Sequence, residues 1–237
     1  MKATEVFIPG GYPNHTLVED HLVSKQQQLI DTLEMGTMLI SISGPSKSGK
    51  TVFVKKVLGT QRLIEVTGAG VQSANDLWKR VFDILGVPVT QVQSKTGTSS
   101  FSSTGELSAQ AGVILAKGSL KGSASAGYST ADQTSESFAI DLFQLMKREI
   151  ANTDYVIFID DFHYIAKEAQ AELSRQIKDA IANGCKFICA SVPYHSDDVL
   201  RGNSDLRGRI FNIDFDYWDE STLKIIAQKG FKLLNID

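Results

Sequence analysis

The stretch Ser43-Gly44-Pro45-Ser46-Lys47-Ser48-Gly49-Lys50-Thr51 decides how the rest of the chain is read. From Gly44 to Thr51 it fits G-x-x-x-x-G-K-[ST], a loop whose backbone N–H groups cradle phosphate. Its flanks suit that chemistry. Met38-Leu39-Ile40-Ser41-Ile42 before it reads as a short buried strand, and Val52-Phe53-Val54-Lys55-Lys56-Val57-Leu58 after it reads as a helix. Glycines let successive N–H groups converge on an anion, and the helix N-terminus adds a favourable dipole. Gly44, Pro45, Ser46, Lys47, Ser48, Gly49, Lys50, Thr51 and Val52 are therefore the expected nucleotide-binding residues. Lys50 would reach the β- and γ-phosphates, and the Thr51 hydroxyl would be a ligand of Mg²⁺.

The 237 residues, 42% hydrophobic and 22% charged, suffice for one large domain or one domain with an appendage. A formal net charge of -3 carries no bulk signal for nucleic acid or a membrane surface. No run approaches the ~20 apolar residues of a membrane span. Met1 to Val6 lacks the apolar core of a signal peptide. The expected setting is cytoplasmic, with no membrane partner. Cys185 and Cys189 sit in one apolar run with no histidine at metal-ligand spacing, and read as buried thiols in a reducing compartment.

Residues 1–20 contain Phe7-Ile8-Pro9-Gly10-Gly11-Tyr12-Pro13-Asn14, where two prolines and two glycines predict an extended lead-in. Tyr12 either stacks on an adenine or packs as an ordinary loop residue. Helical spacing predicts a helix over 19–35 stopped by Gly36, and another opened by Ser73-Ala74-Asn75-Asp76. Arg62 to Thr67 reads as a strand. Between about 94 and 137 the chain is dominated by Ser, Gly, Thr and Ala. That insertion is either a projecting β-hairpin turning at Lys117-Gly118-Ser119 or a flexible linker.

The second decisive stretch is Tyr155-Val156-Ile157-Phe158-Ile159-Asp160-Asp161. Five apolar residues in a row suit a central parallel strand covered on both faces, and ligand groups belong at the carboxyl end of such strands. Asp160 stands where an acidic residue would hold Mg²⁺. Asp161 either positions or deprotonates the attacking water, or caps the following loop. A helix over Ala166 to Asn183, strands at Phe187 to Val192 and Ile210 to Phe215, and a final helix from Asp219 complete an α/β pattern with a mostly parallel sheet. Trp78 and Trp218 read as core or interface aromatics, and His163 as a packed loop residue or a partner of the nucleotide-site loop.

Taken together, Gly44 to Thr51, Tyr155 to Asp161, Phe187 to Ser191 and Asp205-Leu206-Arg207-Gly208-Arg209-Ile210 occur in an order that resembles AAA+/STAND P-loop ATPases. Asp160-Asp161-Phe162-His163-Tyr164-Ile165 resembles the Asp-Asp-aromatic-His pattern of STAND regulators, and the Cdc6/Orc-like AAA+ clade has a similar order. The resemblance implies a P-loop NTPase three-layer sandwich with a mostly parallel five-stranded sheet. It implies an ATPase core over 21–216, with 217–237 as the start of a helical lid that is cut short. The chain is then either a stand-alone ATPase core or a domain of something larger. The implied cofactors are ATP and Mg²⁺, and hydrolysis would be slow. By the same resemblance Ser191, or His195 nearby, would sense the γ-phosphate. Arg209, in competition with Arg207 and Arg201, would be an arginine finger acting on a neighbouring subunit, or else pair with Asp197, Asp198 or Asp205. The implied activity is a nucleotide-controlled oligomerisation switch in regulation or antiphage defence, with a homo-oligomer and an effector or sensor protein as partners. The alternative is a DNA-associated AAA+ loader or transposition regulator touching DNA through Lys117 and Lys121, which the acidic chain disfavours.

Overall fold

The computed structural model describes residues 1–87, 141–193, 206 and 208–236. Five described strands form one sheet: β1 (Leu39–Ser43), β2 (Leu63–Thr67), β3 (Val156–Asp160), β4 (Lys186–Ser191) and β5 (Ile210–Asp214), in the order β2-β3-β4-β1-β5. Every neighbouring pair is parallel, so the sheet expected to be mostly parallel is parallel throughout the described residues.

Helices cover both faces. α2 (Val23–Met35) and α3 (Lys50–Leu58) lie on one; α4 (Ala74–Ile84), α5 (Leu142–Ile150) and α6 (Lys167–Ala182) lie on the other. The period of two along β3 sorts its side chains between them. Val156 and Phe158 join Leu29, Phe53 and Val54, whereas Ile157 and Ile159 join Trp78, Phe82, Met146 and Leu173. A strand buried on both faces has no polar side to present, which is why its sequence is an unbroken apolar run. Each such buried side chain contributes about 1.5–3 kcal/mol of transfer free energy. Trp78 belongs to this core: it packs on Phe143 and Phe187 and donates its indole N–H to Gln176 Oε1 at 2.6 Å.

Local chemistry sets the helix ends. Gly36 closes α2 at φ 65°, a left-handed conformation that glycine adopts without a Cβ penalty. Ser73 and Asp76 form a reciprocal capping box on α4, and the Asp141 carboxylate accepts from the N–H groups of Phe143 and Gln144 on α5. Cys185 and Cys189 are free buried thiols. Burial pushes Cys185 up to about 11 and raises Cys189 further, which leaves both inert as nucleophiles.

The lead-in is not extended throughout. Ala3–Val6 forms one helical turn, α1, with Lys2 N–H donating to Glu5 Oε2 at 2.8 Å and Val6 fully buried. Its partner is α7 (Glu220–Leu234). Phe7 meets Phe231 edge-on with ring centroids 6.0 Å apart, over a Gly230 that has no space for a side chain. Lys229 Nζ donates to the Leu17 carbonyl at 2.7 Å. α7 is capped by Asp219, which accepts from the Thr222 N–H at 2.8 Å. The Ser221 hydroxyl first, and the Thr222 N–H after it, hold that carboxyl well below the usual range. The insertion over 94–137, and with it Lys117 and Lys121, lies outside the described residues.

Candidate nucleotide site

β1 delivers the Gly44–Gly49 loop to the carboxyl edge of the sheet. A Cβ at Gly44 would sit 2.5 Å from Phe215 Cβ and 2.9 Å from the Phe215 carbonyl, so only glycine lets the backbones approach this closely. The Gly44 N–H donates to the Ser191 carbonyl at 3.3 Å. Lys47 at φ 66° and Gly49 at φ 92° turn the loop through the left-handed region, the backbone pattern of an anion-binding nest. α3 begins at Lys50, so the N–H groups of Lys50, Thr51 and Val52 open the helix and have no carbonyl one turn back within it. Ser48 Oγ is buried without a hydrogen-bond partner. Such a hydroxyl costs about 1–3 kcal/mol until something accepts its proton, and a phosphate oxygen fits that need.

Lys50 crosses the mouth of the loop and is almost wholly buried. Its Nζ donates to the Gly44 carbonyl at 2.7 Å and the Pro45 carbonyl at 2.8 Å. Burial holds this ammonium below the ordinary lysine range, against the attraction of Asp160 and Asp161. The Thr51 hydroxyl donates to Asp160 Oδ2 at 2.6 Å, joining two motifs 109 residues apart. Asp160 ends β3, and its Oδ1 accepts from the Asp161 N–H at 2.9 Å. Asp161 sits at φ 55°, and its carbonyl accepts from the Tyr164 N–H at 3.0 Å. The Asp161 side chain makes no capping bond to the short helical turn that follows, so the loop-capping alternative is not what the geometry contains. Gly68 seals this corner: a Cβ there would lie 2.5 Å from the Asp161 carbonyl. Gly68→Ala should therefore cost about 1–3 kcal/mol of stability, read by chemical denaturation.

β4 lies between β1 and β3, so Ser191 ends its strand between the phosphate loop and Asp160. Ser191 is buried, and its neighbour across the pair is Ser43. Arg209 lies elsewhere. It is exposed and precedes β5, its carbonyl accepting from the Leu39 N–H at 2.8 Å. That is the amino edge of the sheet, about one strand length, roughly 15 Å, from Lys50. Arg209 therefore does not serve its own site. Arg207, Arg201, His195, Asp197, Asp198 and Asp205 lie outside the described residues.

Beside the loop opens a cavity of about 420 Å³. Its walls are mostly apolar: Leu22, Val52, Phe53, Trp218, Leu223 and Ile226, with Gly49 and Lys47 at the loop end. A mostly apolar lining with a few polar groups at one end is the composition of a small-molecule pocket. The lead-in supplies Pro13, Thr16, Leu17 and Val18 to the wall; Tyr12, read as either an adenine partner or an ordinary loop residue, is not among the lining residues.

One residue of the site escapes sequence reasoning. Trp218 donates its indole N–H to the Ser48 carbonyl at 2.9 Å and meets the His21 ring edge-on at 4.8 Å. It is half-buried and lines the cavity beside the loop. No local pattern marks it, because its partner is 170 residues away. Among the described residues no cluster of three or more His, Cys, Asp or Glu could hold a metal. One carboxylate and one hydroxyl instead suit Mg²⁺, which binds through few protein ligands together with phosphate oxygens and water.

No family model matches the chain, and no curated protein matches it in sequence. Solved structures do match in shape. A Cdc6p from Pyrobaculum aerophilum superposes with a TM-score of 0.57 at 14% identity, covering 97% of this chain and 53% of its own. A Walker-type ATPase of Pyrococcus abyssi gives 0.57 at 16% identity, covering 93% and 60%. The ORC2 protein of Aeropyrum pernix, solved in ADPNP–ADP complexes, gives 0.57 at 12%, covering 97% and 55%. The chain thus shares the fold of these structures and spans between half and two thirds of their length. Among the described residues no helix is long and apolar enough to cross a membrane.

Proposed function

We propose that this chain binds ATP with Mg²⁺, hydrolyses it slowly, and uses the bound nucleotide to control its own assembly. The observation that carries the reading is the 2.6 Å bond from Thr51 to Asp160. It brings the loop's hydroxyl and the strand-end carboxylate to one point at the mouth of the phosphate cradle. Thr51 and Asp160 would hold Mg²⁺, which supplies charge neutralisation at the phosphates. Lys50 and the N–H groups of the loop and of α3 bind the phosphates. The apolar cavity takes the base, and Asp161 orients the attacking water or accepts its proton. Ser191, buried between the two motifs, would register the outermost phosphate.

Assembly is supported by where Arg209 stands. An exposed arginine on the opposite edge of the sheet reaches a nucleotide only in a neighbouring subunit. There it would stabilise transition-state charge and tie hydrolysis to contact between copies. A partner protein would then read the assembled state.

Calorimetric titration with ATP, with and without Mg²⁺, tests the site. Micromolar or tighter binding that weakens about tenfold or more without Mg²⁺ is expected, and no binding in either condition would sink the reading. Thr51→Val should erase most of that Mg²⁺ dependence while retaining metal-free binding. Size-exclusion chromatography with ATP, ADP and a non-hydrolysable analogue tests the switch. A larger species with ATP and the analogue, but not ADP, is expected; one unchanged species under all three ends the assembly claim. Salt-dependent binding to DNA would favour the loader reading instead.

A further inference from the structure

We infer that Trp218 is a positioning residue that couples the phosphate loop to α7, so that nucleotide affinity and the seating of α7 rise and fall together. The inference rests on the nucleotide-binding reading above and names how that site is regulated. Its geometric basis is one peptide unit. The Trp218 indole N–H holds the Ser48 carbonyl at 2.9 Å. In a trans peptide the carbonyl and the following N–H point in opposite directions. Fixing the Ser48 carbonyl toward Trp218 therefore aims the Gly49 N–H away from it, back across the loop. The ring itself lies 3.6 Å from where a Gly49 Cβ would stand. Both contacts fall on the turn in which Lys47 and Gly49 take positive φ, the part of the loop whose N–H directions matter most for an anion.

The other side of Trp218 leads straight to α7. His21 closes over the ring at 4.8 Å. The next residue, Asp219, caps the helix by accepting from the Thr222 N–H. Beyond that cap, the ties of α7 run to the amino-terminal segment: Phe231 to Phe7, and Lys229 to the Leu17 carbonyl. Leu223 and Ile226 of α7 and Pro13, Thr16, Leu17 and Val18 of the lead-in wall the same cavity beside the loop. A change in the Ser48–Gly49 peptide is thus passed through Trp218 to the helix cap, and a shift of α7 is passed back to the peptide. Such coupling is reciprocal.

Hydrogen exchange by mass spectrometry on the full chain, with parallel ATP titrations, tests this on wild type, Trp218→Phe and Lys50→Ala. Phenylalanine keeps a ring against Gly49 and His21 and removes only the N–H. Without nucleotide, Trp218→Phe should exchange faster in two places, residues 46–50 and the first turn of α7, with β3 and α6 unchanged. With ATP and Mg²⁺, wild type should gain protection at both places. The variant should bind about 3- to 10-fold more weakly, the loss of one hydrogen bond, and at saturation lack the gain on α7. Wild-type exchange on α7 in the variant overturns the inference. So does faster exchange spread evenly over the whole fold, which marks a merely structural residue. If wild type fails to bind ATP while the nucleotide-free pattern holds, the nucleotide reading falls and the coupling of loop to α7 stands. If Lys50→Ala alone loses binding and Trp218→Phe matches wild type throughout, the nucleotide reading stands and the coupling falls.

Discussion

Lys50→Ala should weaken ATP binding by roughly 100-fold or more, below detection in an ordinary titration. The buried ammonium is held at the loop mouth by two carbonyls at 2.7 and 2.8 Å. Hydrogen bonds to charged groups contribute about 1.5–3 kcal/mol each, so losing even two of them to phosphate exceeds two powers of ten in affinity. The substitution also removes the ammonium donor from the Gly44 carbonyl and leaves the Pro45 carbonyl only the Ser48 N–H at 3.2 Å. A stability loss of about 1–3 kcal/mol is therefore expected beside the binding loss. Circular dichroism and a denaturation midpoint separate the two effects: a folded Lys50→Ala protein that binds ATP at wild-type affinity removes the basis of the proposed function.

Asp161→Asn should leave ATP affinity within a few-fold of wild type and slow hydrolysis by about 10²–10⁴, the usual span for a general base. Asparagine is the informative choice. Asp161 sits at φ 55°, and asparagine tolerates the left-handed region about as well as aspartate, whereas alanine adds backbone strain. The carbonyl bond to the Tyr164 N–H and the close contact with Gly68 belong to the backbone and survive the change. Single-turnover hydrolysis with pre-bound ATP isolates the chemical step. Wild-type turnover by Asp161→Asn would reduce the residue to a corner of the fold.

The parts of this molecule that are legible in its sequence are those whose signals are local. Gly44 to Thr51 carries a loop, a helix start and a lysine in eight consecutive residues, and Val156 to Asp160 announces a doubly buried strand that ends in a carboxylate. Gly36 and Ser73 mark helix ends because caps are short-range chemistry. Strand order is a different matter. Apolar runs identify β1, β3 and β4 without saying which lies beside which, and the position of β4 between the other two depends on packing across both faces. One turn of helix at Ala3–Val6 is too short for periodicity to reveal. Its place is set by Phe7 against Phe231, at the far end of the chain. Pro13 rather than Tyr12 reaches the cavity for the same reason: the lead-in is steered by what it packs on. Trp218 belongs with these, since its bond to Ser48 exists only once the sheet has brought β1 and β5 side by side.

The sheet order also governs when the site can come into being. β1 pairs with β4 and β5, Ile40 lying against Ile188 and Phe211, and it has no contact in the ladder with β3. The strand carrying the phosphate loop and the strand carrying Asp160 therefore remain unconnected until β4 slides between them. Pairings this far apart in sequence are slow to form, because a long loop must close before any contact rewards it. Bringing the two motifs to one edge therefore requires β4, which follows both of them in the chain. A nucleotide held by both motifs would bind only the completed sheet, and by mass action such a ligand stabilises the folded state over the unfolded one.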